Sequence, residues 1–536
     1  MNVPVTLFTW GLAVLPIIVL LILLIRFRWG ATEAAPVGLL ITAVTGLLFY
    51  KADMKLLAIE SAKGIFNALV ILVIVWTAIL MYQVCDEANA FSAIRNGMKK
   101  LIPNELILVL AMGWIFESFL QGITGFGVPV AVGAPLLIGI GVKPLWAVVI
   151  PLLGQAWGNT FGTLGAAWDS LAMSAGLAAG TEEYLVTAMW TAVFIWFWNF
   201  VGGIAMCFYY GRGRALKKGL FAVMIMSLIQ GGGELLLSRM NTTLCCFIPA
   251  CISLVAVIML SKTKMYRDEW RIDDSPIMNR EEETAVENND ENGMTLVQAF
   301  VPYIALSVIT LLVLVIKPVN EFLGQFSISL SFVGTMTGYG FVNKQATLSF
   351  VPFTHASMFL FLSSIFGMIY YKAHGWVGEG GIKRMFVKSV AMTIPSGISV
   401  IGLVIMSRIM DGTGQTQVMA VGIANVLGKV YAIFAPFVGL LGTFMTGSNM
   451  SSNILFGGFQ STTAELLGIN KEIILGAQSA GGAYGSACSP SKIILGTTTA
   501  NILGREGEVL SIVMVLTCTT AIIVGLFVFG TVMLGI

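Results

Sequence analysis

Charged residues are scarce in this chain of 536 residues. They make up 11% of the sequence, and hydrophobic residues make up 57%. A soluble globular domain carries about 25% charged residues, so the shortage is too large for a soluble core. The mean hydropathy of +0.88 agrees with this conclusion. The composition therefore predicts a polytopic integral membrane protein whose first partner is the lipid bilayer.

The residues and motifs on which most enzymes depend are also sparse. The chain has two histidines, His355 and His374, and its seven cysteines have neither metal-ligand nor disulfide spacing. No glycine-rich nucleotide-binding pattern and no zinc motif occurs. We therefore predict no metal site, no cofactor, no enzymatic activity and no ATPase subunit. The formal net charge of +2, without a basic patch, likewise predicts no nucleic-acid partner.

Apolar segments of about 20 residues, the length that crosses a bilayer, are abundant instead. The candidate spans are residues 6–25, 35–50, 66–84, 104–120, 144–165, 187–209, 219–237, 242–261, 296–316, 354–371, 385–407, 430–446, 472–487 and 510–533. Shorter glycine-rich segments at 121–140, 412–428 and 451–468 are typical of re-entrant or broken helices. The sequence therefore predicts an all-α polytopic membrane protein with about 12–14 transmembrane helices.

Lysine and arginine cluster in four loops, at 26–28, 212–218, 262–280 and 372–388. Such clusters mark cytoplasmic loops, which places the N-terminus outside. Residues 262–294 form the only long hydrophilic stretch, and its second part is strongly acidic. We predict a polar cytoplasmic linker there, between a first transmembrane half at 1–261 and a second at 295–536.

Two segments repeat each other across the chain. Gln155, Gly158 and Gly162 match Gln478, Gly481 and Gly485 at a constant offset. Each half is thus predicted to hold a hairpin and then a broken helix. In the first half these are hairpin 104–140 and broken helix 144–165, and in the second half they are hairpin 430–468 and broken helix 472–500. Interrupted helices in corresponding halves, as in inverted repeats, indicate a transport site at the midplane. The glycines alone would fit simple helix packing, and the polar residues beside them favour a lined cavity.

Three ionisable residues lie within or beside these apolar segments. Glu117 follows the apolar run 106–116, and a carboxyl at membrane depth usually faces a cavity and carries a function. We predict that Glu117 carries the coupling proton, with Asp169 as a second proton-coupling candidate or an interfacial cap. Lys492 needs a counter-charge. It is predicted either to hold a substrate carboxylate or to pair with Glu117 or Asp169.

The predicted substrate-binding residues share polar side chains in the hairpins and broken helices. They are Lys492, Gln121, Thr124, Gln155, Asn159, Ser448, Asn449, Ser452, Asn453, Gln478 and Ser489. Broken-helix N-termini add positive potential that suits an anion. The oxygens of Asn449 and Asn453 are also ligands that suit sodium. A sodium-coupled transporter of another small carboxylate therefore remains the alternative to proton coupling.

Three motifs resemble those of the bacterial L-lactate permease family, at residues 116–129, 442–456 and 481–490. The resemblance covers nearly the whole chain. It implies a secondary transporter of the bacterial inner membrane that takes up L-lactate, glycolate, D-lactate or a related 2-hydroxymonocarboxylate by proton symport through alternating access. The chain departs from the family where Asn449 replaces an acid and where Ser491 replaces glutamine. The coupling ion and the exact substrate therefore stay open, as does the oligomeric state.

Overall fold

The computed structural model describes residues 3–27, 29–125, 127–280 and 293–535. The acidic part of the predicted linker, at 281–291, lies outside the described residues. Helices account for nearly all of the regular structure, which confirms the predicted all-α class of membrane protein.

Twelve helices precede the linker. They are α1 (Leu7–Ile25), α2 (Ala31–Phe49), α3 (Met54–Glu87), α4 (Ala90–Leu101), α5 (Glu105–Leu110), α6 (Phe116–Ile123), α7 (Val128–Ile138), α8 (Pro144–Ala156), α9 (Gly162–Ala175), α10 (Glu182–Ser227), α11 (Gly233–Ser238) and α12 (Phe247–Ser261). Two π-helical turns continue the axis between neighbours. Ala111–Ile115 joins α5 to α6, and Leu228–Gly232 joins α10 to α11.

Eleven helices and four short strands follow the linker. The helices are α13 (Leu296–Ala299), α14 (Val301–Val315), α15 (Lys317–Gly324), α16 (Ala356–Ala373), α17 (Gly381–Thr413), α18 (Gln415–Leu427), α19 (Tyr431–Thr446), α20 (Asn449–Leu467), α21 (Lys471–Gly485), α22 (Pro490–Thr499) and α23 (Glu506–Leu534). The strands are β1 (Ile328–Phe332), β2 (Thr335–Met336), β3 (Val342–Asn343) and β4 (Ala346–Phe350), with β1 antiparallel to β4 and β2 to β3. The sequence analysis did not predict these strands.

Nine helical segments within the described residues are long and apolar enough to cross a membrane, or ten if the bent pair α14–α15 is one span. This number is smaller than the 12–14 predicted for two physical reasons. The segment Glu182–Ser238 is counted once, but it contains two predicted spans, 187–209 and 219–237. The two are separated by a break in the helix at Gly211 and Arg212. Several other predicted spans form helices that are shorter than a full crossing, such as α12 with 15 residues.

Helix α3 begins twelve residues before the predicted span at 66–84, because its first turns contain charges that resemble a loop. Two of these charges neutralise each other inside the protein. Lys63 Nζ lies 2.7 Å from Glu60 Oε1, and both residues are only 4% exposed. Arg408 of α17 donates to the Asn67 side-chain oxygen at 2.7 Å when the amide is turned to face it. Glu60 lies against Gly412 of α17, where an added Cβ would overlap its side chain, so the ion pair also lies in the contact between α3 and α17.

We expect Lys63→Met to destabilise the protein, because it leaves the Glu60 carboxylate buried without its partner. Loss of one member of a buried pair costs about 3–5 kcal/mol. Thermal unfolding in detergent, followed by fluorescence, measures the effect. The double change Glu60→Met with Lys63→Met should recover most of the lost stability. A single variant as stable as the unmodified protein would contradict this account.

The chain reverses direction at one glycine-containing turn in each half. After α6 it turns through Gly125 and Gly127, whose φ angles are +51° and +86°, and returns as α7. After α19 it turns at Gly447, with φ +78°, and continues as α20. In both halves the next helix, α8 or α21, runs into a short 3-10 turn before α9 or α22 begins. The order of elements is therefore the same in the two hairpin regions.

Residues 262–280, the described part of the predicted linker, pack on the helix ends beside them. Arg280 Nη1 contacts Glu105 Oε1 at 2.8 Å, at the start of α5. The Lys143 amide donates to Ile277 O at 2.8 Å, at the start of α8, and Ile277 is fully buried. This segment therefore joins the ends of α5 and α8.

Candidate functional site

A small cavity lies where the two hairpin turns meet the break between α8 and α9. It encloses about 30 Å³, which is room for about two water molecules. Its lining residues are Gln121, Asn159, Gly162, Thr163, Ala166, Ala167, Gly447, Ser448, Asn449, Met450 and Lys492. Elements from both halves of the chain thus enclose one polar space.

Lys492 brings to this cavity an amine whose charged form a bound anion would stabilise. The residue is 5% exposed, and its Nζ donates to Asn159 Oδ1 at 3.1 Å. Asn159 is itself oriented by a bond from its Nδ2 to Ser486 Oγ at 2.8 Å. In the part of the chain that the structure describes, Lys492 forms no ion pair, so the predicted pairing with Glu117 or Asp169 is not formed. A buried ammonium without a carboxylate partner can accept an anionic ligand.

The start of α20 adds further positive potential. Gly447 ends α19 in a left-handed conformation, and a Cβ there would overlap Ser491. Ser448 caps α20, and the next two residues, Asn449 and Met450, line the cavity. The first amides of a helix have no intrahelical acceptor and point toward the N-terminal end. A carboxylate in the cavity would therefore meet unpaired N–H donors and the positive end of the helix dipole.

The break in α9 shapes the opposite wall. Thr163, Leu164 and Gly165 are consecutive and left-handed, with φ angles of +50°, +51° and +90°. A left-handed conformation costs about 1–2 kcal/mol for a residue with a Cβ. Two such residues in succession make a strained segment directly beside the cavity. The break brings Ala166 and Ala167 to the cavity wall, where small side chains leave space for a ligand.

Glu117 lies outside the cavity lining, on the same helix as Gln121. The residue is fully buried, and neither carboxyl oxygen has a hydrogen-bond partner among the described residues. The carboxyl packs against Gly133 of α7, where an added Cβ would overlap it. Desolvation makes the neutral acid the stable form of an unpaired carboxyl in such surroundings. Gln121, one turn later on α6, connects this position with the cavity.

We expect Gly133→Ala to impair transport, because the new methyl group would occupy the space of the Glu117 carboxyl. Substrate uptake per molecule of reconstituted protein measures the effect, and we expect a loss of tenfold or more. Gly202→Ala is the matched control, because a Cβ at Gly202 meets no atom within 4 Å. It should keep full uptake, since alanine favours the helix. Equal uptake by the two variants would contradict the assigned position of Glu117.

Five of the eleven predicted substrate-binding residues line the cavity, namely Gln121, Asn159, Ser448, Asn449 and Lys492. The other six are occupied elsewhere or face other helices. Thr124 donates a hydrogen bond to Leu120 O, and Ser452 donates one to Gly439 O. Asn453 bonds to Ala167 O and Ser479, Gln478 bonds to Gln460 and Ser452, and Ser489 bonds to Ser491. Gln155 is buried, and neither atom of its side-chain amide has a partner among the described residues. Asp169 is exposed and also lies outside the cavity. Their roles remain predictions.

The predicted binding residues did not include Thr163, Gly447 or Met450. Gly447 and Met450 are adjacent to predicted residues, and Thr163 lies four residues after Asn159. The helix break and the turn glycine were the available signals. Within the described ranges, no group of three or more His, Cys, Asp or Glu residues could hold a metal ion. Oxygen atoms from Asn, Ser and Thr are the hard ligands that this region offers to a cation.

A sequence model of the L-lactate permease family matches residues 11–535, nearly the whole chain. The chain belongs to the L-lactate permease family. It is 23% identical to the glycolate permease GlcA of Escherichia coli (strain K12), covering 92% of this chain and 90% of that protein. It is 24% identical to the L-lactate permease of Salmonella typhimurium, covering 96% and 94%. The predicted family is thereby confirmed.

Among solved structures, the chain is similar to the YdaH transporter of Alcanivorax borkumensis, with 12% identity, a TM-score of 0.43 and coverage of 86% and 85%. Family membership and the apolar helices support a multi-pass membrane protein, and the permease names of the family indicate a transporter. Its family indicates lactate-like substrates.

Proposed function

We propose that this family member takes up L-lactate, glycolate or a related 2-hydroxymonocarboxylate by proton symport. The membrane is the bacterial inner membrane, with the N-terminus outside. The observation that carries the proposal is Lys492, a buried amine beside a small cavity, with no carboxylate partner among the described residues. A small monocarboxylate supplies the single negative charge that Lys492 lacks as a partner.

The carboxylate of the substrate binds between Lys492 and the first amides of α20. Charge-assisted hydrogen bonds are about twice as strong as neutral ones, so this end fixes the orientation of the substrate. Asn159 holds the ammonium in place from the first half of the chain, while α20 belongs to the second half. The contact between Asn159 and Lys492 therefore joins the two halves at the carboxylate site.

The 2-hydroxyl group binds to uncharged side chains on the opposite wall. Gln121 Oε1 is buried without a partner in the described protein and accepts a hydroxyl hydrogen bond. The Thr163 hydroxyl, which also lines the cavity, offers a second polar group. A buried acceptor left unpaired costs about 1–3 kcal/mol, so a substrate that lacks the hydroxyl binds more weakly.

Glu117 carries the coupling proton. Its carboxyl is buried against Gly133 and is one turn from Gln121, so the hairpin moves the proton site and the binding site together. Because hairpins from both halves meet at the cavity, movement of one repeat against the other would expose the cavity to alternate sides. The proton and the substrate would then cross in the same step.

Uptake of radiolabelled L-lactate into proteoliposomes tests the proposal. Purified protein is given an inward proton gradient in one experiment and an inward sodium gradient in another. Accumulation above equilibrium in the first experiment, and equilibration only in the second, is the expected result. No accumulation of L-lactate or glycolate under a proton gradient overturns the proposal.

One observation favours sodium coupling as a second candidate. The Oδ1 atoms of Asn449 and Asn453 are both buried without a hydrogen-bond partner among the described residues. Side-chain carbonyl oxygens of this kind are suitable ligands for a hard cation. Accumulation that follows the sodium gradient would establish this candidate, and Asn453→Ala should then raise the sodium concentration needed for half-maximal uptake.

A further inference from the structure

A second unpaired carboxyl is buried in the first half of the chain. Glu234 of α11 is fully buried, and neither of its carboxyl oxygens has a hydrogen-bond partner among the described residues. A structural carboxyl is normally paired or hydrogen-bonded when it is removed from water. An ionisable residue at such a depth without a partner is a candidate for a functional role.

The local structure of Glu234 repeats that of Glu117. Glu117 is the second residue after the π-helical turn Ala111–Ile115, and Glu234 is the second residue after the π-helical turn Leu228–Gly232. Such turns are rare in helices and are found most often at functional sites. Two rare turns in the described chain thus each precede an unpaired buried glutamate.

Glycines accompany both turns and set how closely neighbouring helices approach. Gly113 in the first turn packs against Ile150. Gly231 in the second turn packs against the Trp196 ring, and Gly233 against Pro249. A side chain at any of these three positions would overlap its neighbour. Each turn is therefore held by close packing, while the glutamate beside it is left without a partner.

Cys246 lies between Glu234 and the cavity. The preceding residue, Cys245, donates its Sγ–H to the backbone oxygen of Glu234 at 3.5 Å, which places Cys246 beside α11. On its other side, the Cys246 Sγ atom and the Gln121 side chain both lie against Gly158, within 3.1 Å of where a Cβ would be. Gln121 lines the cavity and is one turn from Glu117 on α6. Glu234, Cys246, Gln121 and Glu117 thus follow one another in space.

The two carboxyls lie at different depths. Glu234 is five residues from Arg239, whose Nη2 pairs with Glu182 Oε1 at 2.6 Å, and both side chains of that pair are exposed. Five residues correspond to about 7.5 Å along a helix axis. Glu117 is twelve residues from Glu105 at the start of α5, about 18 Å along the axis. Glu234 is therefore the carboxyl closer to a surface.

Few other groups near Glu234 could carry charge. The elements packed against it are α10, the second π-helical turn and α12 with the loop before it. The titratable and charged residues that these elements carry are Glu182, Glu183, Tyr184, Cys207, Tyr209, Tyr210, Arg212, Arg214, Lys217, Lys218, Arg239, Cys245, Cys246 and Cys251. Those from Cys207 to Lys218 lie around the break in α10, sixteen or more residues before Glu234 in the sequence. Arg239 is engaged at the surface with Glu182. No described residue forms an ion pair or a hydrogen bond with the Glu234 carboxyl, so its burial favours the neutral form.

We propose that Glu234 is a proton-transfer residue, which exchanges protons with the solution beside Arg239 and passes them past Cys246 and Gln121 to Glu117. The inference rests on the proposed proton symport. It adds an entry route to the coupling residue, with no change in the number of protons for each substrate. Glu234 thus delivers the proton to Glu117 and does not contact the substrate.

The test compares the rate and the extent of uptake in proteoliposomes under an inward proton gradient. We expect Glu234→Gln to lower the initial rate at least tenfold, while the final accumulation stays unchanged. Counterflow of labelled against unlabelled L-lactate should stay near that of the unmodified protein, because exchange needs no new proton. Glu234→Asp should restore part of the rate. Glu508→Gln, at an exposed pair with Arg505, is the control and should leave every value unchanged.

The pH dependence separates proton transfer from a purely structural role. If Glu234 delivers protons, its loss slows protonation of Glu117. The initial rate of Glu234→Gln should then rise more steeply than that of the unmodified protein as the external pH falls. A structural defect would lower uptake and counterflow together at every pH. An initial rate and pH profile equal to those of the unmodified protein would overturn the inference, as would loss of counterflow.

Labelling of the unmodified protein with dicyclohexylcarbodiimide gives an independent measurement. This apolar reagent modifies protonated buried carboxyls, and mass spectrometry locates the adduct. We expect labelling of Glu234 at pH 6 that falls as the pH is raised. Labelling that does not change with pH would show that Glu234 never releases its proton, and it would overturn the inference. Failure of the unmodified protein to respond to a proton gradient would overturn the proposed symport, whereas normal Glu234→Gln rates in a proton-driven protein overturn the delivery role alone.

Discussion

Glu117→Gln is expected to abolish uphill accumulation of L-lactate while leaving counterflow intact. Glutamine has the size of the neutral acid, so the contact with Gly133 is kept and the hairpin packs as before. The amide cannot release or take up a proton, so the proton gradient no longer acts on the substrate. Radiolabelled uptake under an inward proton gradient should stop at equilibration, and exchange at equal pH should continue.

The control for this change is Glu508→Gln, which removes an exposed carboxyl from the opposite part of the sequence. It should accumulate L-lactate like the unmodified protein. Glu117→Asp keeps the titratable group but withdraws it by one methylene, and an intermediate accumulation is expected. Continued accumulation by Glu117→Gln would remove Glu117 from the coupling step.

Lys492→Met is expected to raise the apparent KM for L-lactate by about a hundredfold or more. Methionine keeps much of the volume and removes the positive charge that the cavity offers to a carboxylate. Loss of one member of a buried charged pair costs about 2–5 kcal/mol, and 2.8 kcal/mol is about a hundredfold. Initial uptake rates over a range of substrate concentrations measure the change.

Lys264→Met serves as the matched control, because Lys264 is exposed in the segment after α12. It should leave the apparent KM unchanged. Lys492→Arg keeps the charge and should bind better than Lys492→Met, although the larger guanidinium fits a cavity of about 30 Å³ less well. An unchanged KM in Lys492→Met would place the substrate carboxylate elsewhere.

The hydropathy of the sequence predicted the membrane class because lipid imposes composition over whole helices. It failed at the start of α3, where Glu60 and Lys63 neutralise each other only through a contact that folding creates. The strands between α15 and α16 were missed because short exposed strands have no strong pattern. The two π-helical turns depend on how neighbouring helices pack, and sequence spacing does not record that packing.

The candidate site was predicted only in part, for a geometric reason. Along α20, Ser448 and Asn449 lie at the turn and line the cavity, whereas Ser452 and Asn453 lie one turn further and bond within the protein. The residue types are alike, and only the direction of each side chain separates them. The sequence therefore identified the right segments but could not identify which side chains meet in one space.

The two left-handed residues Thr163 and Leu164 have a consequence for the balance between conformations. The segment holds about 2–4 kcal/mol of backbone strain. This strain reduces the free-energy difference between the present conformation and any other conformation in which the two residues relax. At a gap of a few kcal/mol, the minor state of a protein is populated between about 0.1% and 10%. A ligand then inverts the populations if it binds the minor state a few kcal/mol more tightly than the major state.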